Sequence, residues 1–134
     1  MSARAEANKT LVLDAFDTLF VQRDFEAAAR YWSADYIQHS AFIEPGRDGL
    51  FSLVRGITDL RFEHGLIVAD DAFVMLHSRY SWSARPRAWV GVDIVRVADG
   101  QLAEHWDVLQ DEATLDESLS KRPMFGMSFP KGDA

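Results

Sequence analysis

The run DIVRVADGQLAEHWDVLQ, Asp93–Gln110, decides how this sequence is read. Its halves are rich in β-branched and aromatic residues, and the turn signal ADG separates them, which is the pattern of a β-hairpin. Strand side chains alternate between faces, so His105, Asp107 and Leu109 share one side, with Glu104, Trp106 and Val108 on the other. A three-residue loop with Gly100 in the left-handed position sets Val97 opposite Gln101. Asp93 then falls opposite His105, and Gly91 opposite Asp107.

Upstream, LRFEHGLIVAD (60–70), AFVMLHSRYSW (72–82) and AWVGVDIVRV (88–97) carry the same strand-like composition. Asp70-Asp71 and SARPR separate them, so four strands form an antiparallel meander. With the second loop centred near Arg85, His77 lies opposite Asp93. His77, Asp93, His105 and Asp107 then cluster on one face among Phe73, Met75, Trp89, Val95 and Leu109, and Arg79 shares the side of His77. The other face holds Val74, Leu76, Val90, Val92, Trp106 and Val108, with Ser78, Arg96 and Glu104. A few polar groups converging within an apolar lining is the composition of a ligand pocket.

The first sixty residues read differently. Apolar residues recur at helical spacing from about Ala5 to Gln22, Asp24 is positioned to cap a shorter helix FEAAARYW, and EPGRDGLFSLVRGI becomes a third helix. ADYIQHSAF between them reads as a turn and a short extended segment. Helices followed by a meander give an α+β fold. The expectation is one domain over 1–134, with its core at about 5–110. The tail, 111–134, is polar and partly helical, with an apolar patch PMFGMSF.

Composition narrows the function. A 134-residue chain that is 48% apolar is an ordered domain able to bury roughly two-thirds of its unfolded surface. Net charge of −7 speaks against nucleic acid and against a polybasic membrane anchor. There is no cysteine, hence no thiolate metal site. No apolar run is long enough to span a bilayer and no secretory leader is visible, so a cytoplasmic protein is expected. Phosphate-binding loops and a nucleophile elbow are missing too, which leaves nucleotide chemistry and serine hydrolysis without support.

Two helices, a YIQH segment, a third helix and the DGxLxEHWDVxQ run together resemble the SnoaL-like polyketide cyclases of the nuclear transport factor 2-like superfamily. The resemblance covers about Ala5 to Gln110. It implies a cone: a curved antiparallel sheet wrapped around three helices, with a deep pocket at the open end and a homodimer formed through the convex face. In the cyclases an aspartate on the last strand is the acid/base of an aldol ring closure, and Asp107 matches its setting. The related ketosteroid isomerases place a neutral carboxylic acid of the oxyanion hole where Asp93 falls. Two departures stand out. Phe16 occupies the first-helix position where the isomerase keeps a tyrosine, and Ser40-Ala41 follows YIQH where close relatives have Asn-Pro.

The resulting expectation is a cofactor-independent enzyme, without metal, that relocates a proton on a hydrophobic carbonyl-bearing small molecule. Asp107 is the base, since an apolar surround raises a carboxyl pKa toward the working range. His105 orients it or relays the proton, with a satisfied core histidine as the plainer alternative. Asp93 is either the acid or the group that holds His77 and His105. His39 enters from the resemblance as a second acid/base. His77, Arg79, Phe73, Met75, Trp89, Leu109 and Phe16 are placed against substrate, and His64 on the surface. The rival readings are a binding domain without turnover and a hydratase, dehydratase or epoxide hydrolase in which Asp107 activates water. Two histidines and two carboxylates also suit a divalent metal, but the spacing lacks the tight local ligand pairs of metal motifs.

Overall fold

The structure is a computed structural model and describes residues 2–131. Helix α1 (Ala3–Phe16) starts at Ser2, whose hydroxyl accepts the Ala5 N–H at 3.0 Å, and continues into one π-helical turn over Asp17–Val21. The chain reverses at Arg23, in the left-handed region at φ 55°. As expected, Asp24 caps α2 (Phe25–Tyr31), accepting the Ala27 N–H. Helix α3 spans Gly46–Gly56. Two arginines serve the helix C-termini, where backbone carbonyls lack partners. Arg47 donates to Ala29 and Trp32 at the end of α2, and Arg23 to Val54 and Ile57 at the end of α3.

The sheet has five strands: β1 (Trp32–Gln38), β2 (Arg61–Ala69), β3 (Phe73–Ser81), β4 (Trp89–Ala98) and β5 (Gln101–Asp111). Their spatial order is β1-β5-β4-β3-β2. The last four form the antiparallel meander, but β1 adds to β5 in parallel, so the sheet is mixed rather than wholly antiparallel. Its inner face closes over the helices. Val12, Phe16 and Leu19 of the first helical segment meet Val74, Leu76, Val95 and Leu102 in one apolar core. Residues 132–134 lie outside the described residues; from 112 to 131 the tail forms turns and bends instead of the expected partial helix. It lies against the convex face, where Phe125 packs on the His77 ring and beside Gly65. No helix among the described residues is long and apolar enough to cross a membrane.

The hairpin registers depart from expectation in two instructive ways. At the β4–β5 turn the loop has two residues, Asp99 (φ 52°) and Gly100 (φ 72°), the primed turn that suits strand twist. An extra residue, Ala103, then bulges from β5, since Val97 pairs with Leu102 but Arg96 with Glu104. The two changes together shift the register by two residues. Asp93 therefore faces Asp107, and His105 faces Val95, all still on the inner side. Gly91 opposes Leu109, and a side chain there would collide with the Val108 carbonyl, so glycine lets β4 and β5 approach.

At the β3–β4 turn the register moves by only one residue, pairing Leu76 with Asp93. A one-residue slip exchanges the two faces of a strand. Val74, Leu76, Ser78 and Tyr80 therefore point inward, while Phe73, Met75, His77 and Arg79 belong to the convex face.

Candidate active site

The concave side encloses a cavity of about 110 Å³, comparable to cavities that accept a single aromatic ring. Helix α1 contributes Phe16, β1 contributes Trp32 and Tyr36, and α3 contributes Leu50 and Leu53. Three aromatic residues of the lining pack together: Phe42 stacks on Trp89 at 4.8 Å, and Trp82 meets Trp89 edge-on at 5.4 Å. The polar groups gather on the sheet wall, where Asp93, His105 and Asp107 line the cavity with Tyr36, Ser40 and Tyr80.

Asp93 is fully buried and fully engaged. Its Oδ2 accepts the hydroxyls of Ser78 and Tyr80, each at 2.6 Å, and its Oδ1 lies 2.7 Å from His105 Nε2. The other imidazole nitrogen, Nδ1, is 2.6 Å from Gln38 Oε1. The Ser40 N–H also donates to Gln38 Oε1, which fixes that atom as the oxygen of the amide. His105 Nδ1 therefore carries a proton, and Nε2 shares a second one with Asp93. The pair is a buried, internally neutralised unit, the condition under which buried charge is tolerated.

Asp107 differs. It faces Asp93 across the strands, lines the cavity and is only partly buried. Burial pushes its carboxyl pKa above the usual 3.8, and the Asp93 charge adds to this, while the His105 charge and the Ser40 side chain act against it. Tyr80 is pushed far up by burial and by the Asp93 carboxylate beside it, so its hydroxyl stays protonated and donating. Tyr36 is raised by burial as well.

Ligand atoms of Asp93, His105 and Asp107 lie within 4.8 Å of one another, a spacing that could hold a cation. Yet both oxygens of Asp93 and both nitrogens of His105 are already bonded to protein groups. Asp107 is held only by the Ser40 side chain among the described residues, and a metal would have to break the Asp93–His105 network to bind.

Of the residues expected at the site, Asp93, His105, Asp107, Trp89, Leu109 and Phe16 line the cavity. The others do not. His77 lies under Phe125, Arg79 pairs with Glu63 and Glu112, and Phe73 sits near Trp106. Met75 is exposed. The β3 slip accounts for these four. His39 also points away from the cavity: it stacks on Trp106 at 4.8 Å and meets Glu104 at 2.7 Å on the convex side. In their place the site holds Ser78 and Tyr80 from β3, and Tyr36, Gln38 and Ser40 from the YIQHS segment. Alternation along that segment puts Gln38 and Ser40 on one side and His39 on the other. What it lacked was the parallel pairing with β5, which decides that the Tyr36 side faces in.

Comparison with known proteins fits this geometry. Residues 12–105 match the model of the SnoaL-like domain, and the chain belongs to that family. Its structure is similar to AclR from Streptomyces galilaeus, a provisionally assigned hydroxylase, at TM-score 0.61 and 24% identity over 76% of this chain and 77% of that one. A provisionally assigned ketosteroid isomerase from Kribbella flavida superposes at TM-score 0.68, with 19% identity over 79% of each chain. The LEH-like epoxide hydrolase of M. tuberculosis follows at 0.65, with 15% identity over 87% and 90%. These likenesses establish the NTF2-like fold, which hosts several chemistries. No curated protein matches the sequence.

Proposed function

We propose that this protein is an acid/base enzyme acting on a hydrophobic carbonyl-bearing small molecule, one ring of which the cavity holds, with Asp107 as the base. The observation that carries the reading is the contrast between two facing carboxylates. Both oxygens of Asp93 are bonded to protein groups, whereas Asp107 is held only by the Ser40 side chain among the described residues, is raised in pKa and lines an apolar cavity. Asp107 takes a proton from the carbon next to the carbonyl; the C–H electron pair forms a C–C double bond, and the carbonyl π pair moves to oxygen. The proton returns elsewhere in an isomerisation, or the enolate carbon attacks a second carbonyl in a ring closure. His105, held by Asp93 and Gln38, sits at the adjacent inward position on β5, where its charge stabilises the ionised form of Asp107. No cofactor enters this chemistry.

The test is exchange of α-protons for deuterium in a panel of one- and two-ring ketones, followed by NMR. Asp107→Asn keeps the shape and removes the proton acceptor. A positioned base is worth about a hundredfold to ten-thousandfold, so exchange should fall by that factor. Exchange unchanged in Asp107→Asn, or no faster than in buffer for the native protein, overturns the reading.

We also propose a homodimer through the convex face, where Val68, Met75, Val92 and Val108 leave an exposed apolar stripe. Light scattering should return twice the chain mass. Val108→Asp, at a position 74% exposed, should return the single mass.

A further inference from the structure

We infer that the Tyr36 hydroxyl receives the substrate's oxygen, donating its O–H to a carbonyl or to the oxyanion formed from it. This rests on the reading of Asp107 as base, and it narrows the substrate to molecules that present an acceptor-only oxygen next to an acidic C–H. Tyr36 is buried on β1 and lines the cavity. Its oxygen accepts the Gln38 Nε2–H at 3.0 Å, and the Trp32 side chain also acts on it as a donor. Neither role can reverse. An indole nitrogen only donates, and the Gln38 amide is fixed by the Ser40 N–H on its oxygen.

A phenol oxygen has two lone pairs and one proton. The Tyr36 oxygen is already an acceptor, and among the described residues no acceptor takes its proton. A buried donor left in that state is costly unless a ligand completes it. The two N–H donors also polarise the phenol and strengthen it as a donor. Burial and the charges of Asp93 and Asp107 hold it in its protonated form, so it cannot compete with Asp107 for a proton. Tyr80 makes the contrast: its proton is spent on Asp93. The site thus supplies from β1 a donor that the first helix, with Phe16, does not.

During enolisation the carbonyl oxygen gains the electron pair released from the C–H bond. A donor aimed at that oxygen is stabilising most when its charge is greatest. An alcohol or amine would gain less, because it brings a donor that Tyr36 cannot accept.

The probe is acetophenone labelled with ¹³C at the carbonyl, small enough for the cavity and read by infrared difference spectroscopy. Bound to the native protein, its carbonyl band should shift to lower wavenumber. The shift should persist in Asp107→Asn and vanish in Tyr36→Phe, with binding weakened roughly tenfold. Because Tyr36→Phe strips an acceptor from Gln38 and Trp32, its melting curve is recorded too. A second variant carries 3-fluorotyrosine at position 36, which keeps the oxygen and makes the O–H a stronger donor, so the band should move further. A shift retained in Tyr36→Phe, a band unmoved by fluorination, or no shifted band in the native protein up to the solubility limit of the ketone each overturns the inference. A shifted band without proton exchange would sustain the role of Tyr36 and sink that of Asp107.

Discussion

Two histidine–carboxylate pairs sit on opposite faces of β5, and both close to 2.7 Å. His105 and Asp93 lie inside, their side chains 7% and 1% exposed; His39 and Glu104 lie outside, at 41% and 17%. Equal distances conceal unequal physics. The inner pair has left water and depends on Ser78, Tyr80 and Gln38 to satisfy what water no longer can. The outer pair is wet, shares Glu104 with Arg96, and is screened by salt. The inner face can therefore hold a proton at a fixed place beside Asp107, while the outer pair decorates a surface.

The largest effect that could break this contrast is Asp93→Asn. It removes the counter-charge of a buried imidazole and should cost about 3–5 kcal/mol in chemical denaturation. A loss below about 1 kcal/mol would mean the pair is no more than the outer one. Tyr80→Phe comes next, removing one of two hydroxyls from Asp93 Oδ2. It should cost about 1–3 kcal/mol while leaving the convex face untouched.

Asp107→Asn should move stability the other way. A carboxyl whose pKa is raised by folding binds its proton more tightly in the native state, so its ionisation destabilises the fold as pH climbs above 3.8. Replacing it should raise the melting temperature by a few degrees at neutral pH, and the gain should disappear at pH 3. A lower melting temperature at neutral pH would show that the fold depends on this carboxylate. Glu104→Gln should do least, with a change in melting temperature near experimental error that vanishes in 1 M salt. A large, salt-independent loss would erase the distinction between the faces.

The two faces also show how much of the site is legible in the sequence. The inward side of β4 and β5 was legible because the errors in their register summed to two residues, and a shift of two preserves faces. Neither the short Asp99-Gly100 turn nor the Ala103 bulge was visible as such, yet together they left His105, Asp107 and Asp93 on one side. On β3 the difference is a single residue, so the pattern sets His77 and Arg79 inward where the fold sets Ser78 and Tyr80. No local pattern protects against that, because both faces of β3 are partly apolar. The YIQHS segment is a different case. Its inward set is fixed by a parallel partner some seventy residues away, and alternation alone gives two sets without saying which is buried.

The pH dependence of ketone α-proton exchange tests the central claim most directly, with the native protein and Asp107→Asn measured side by side. The account predicts a rate that rises with pH through a midpoint above 3.8 in the native protein, and a flat profile at least a hundredfold lower in the variant. The same rise in both proteins would contradict it and assign the base to another group.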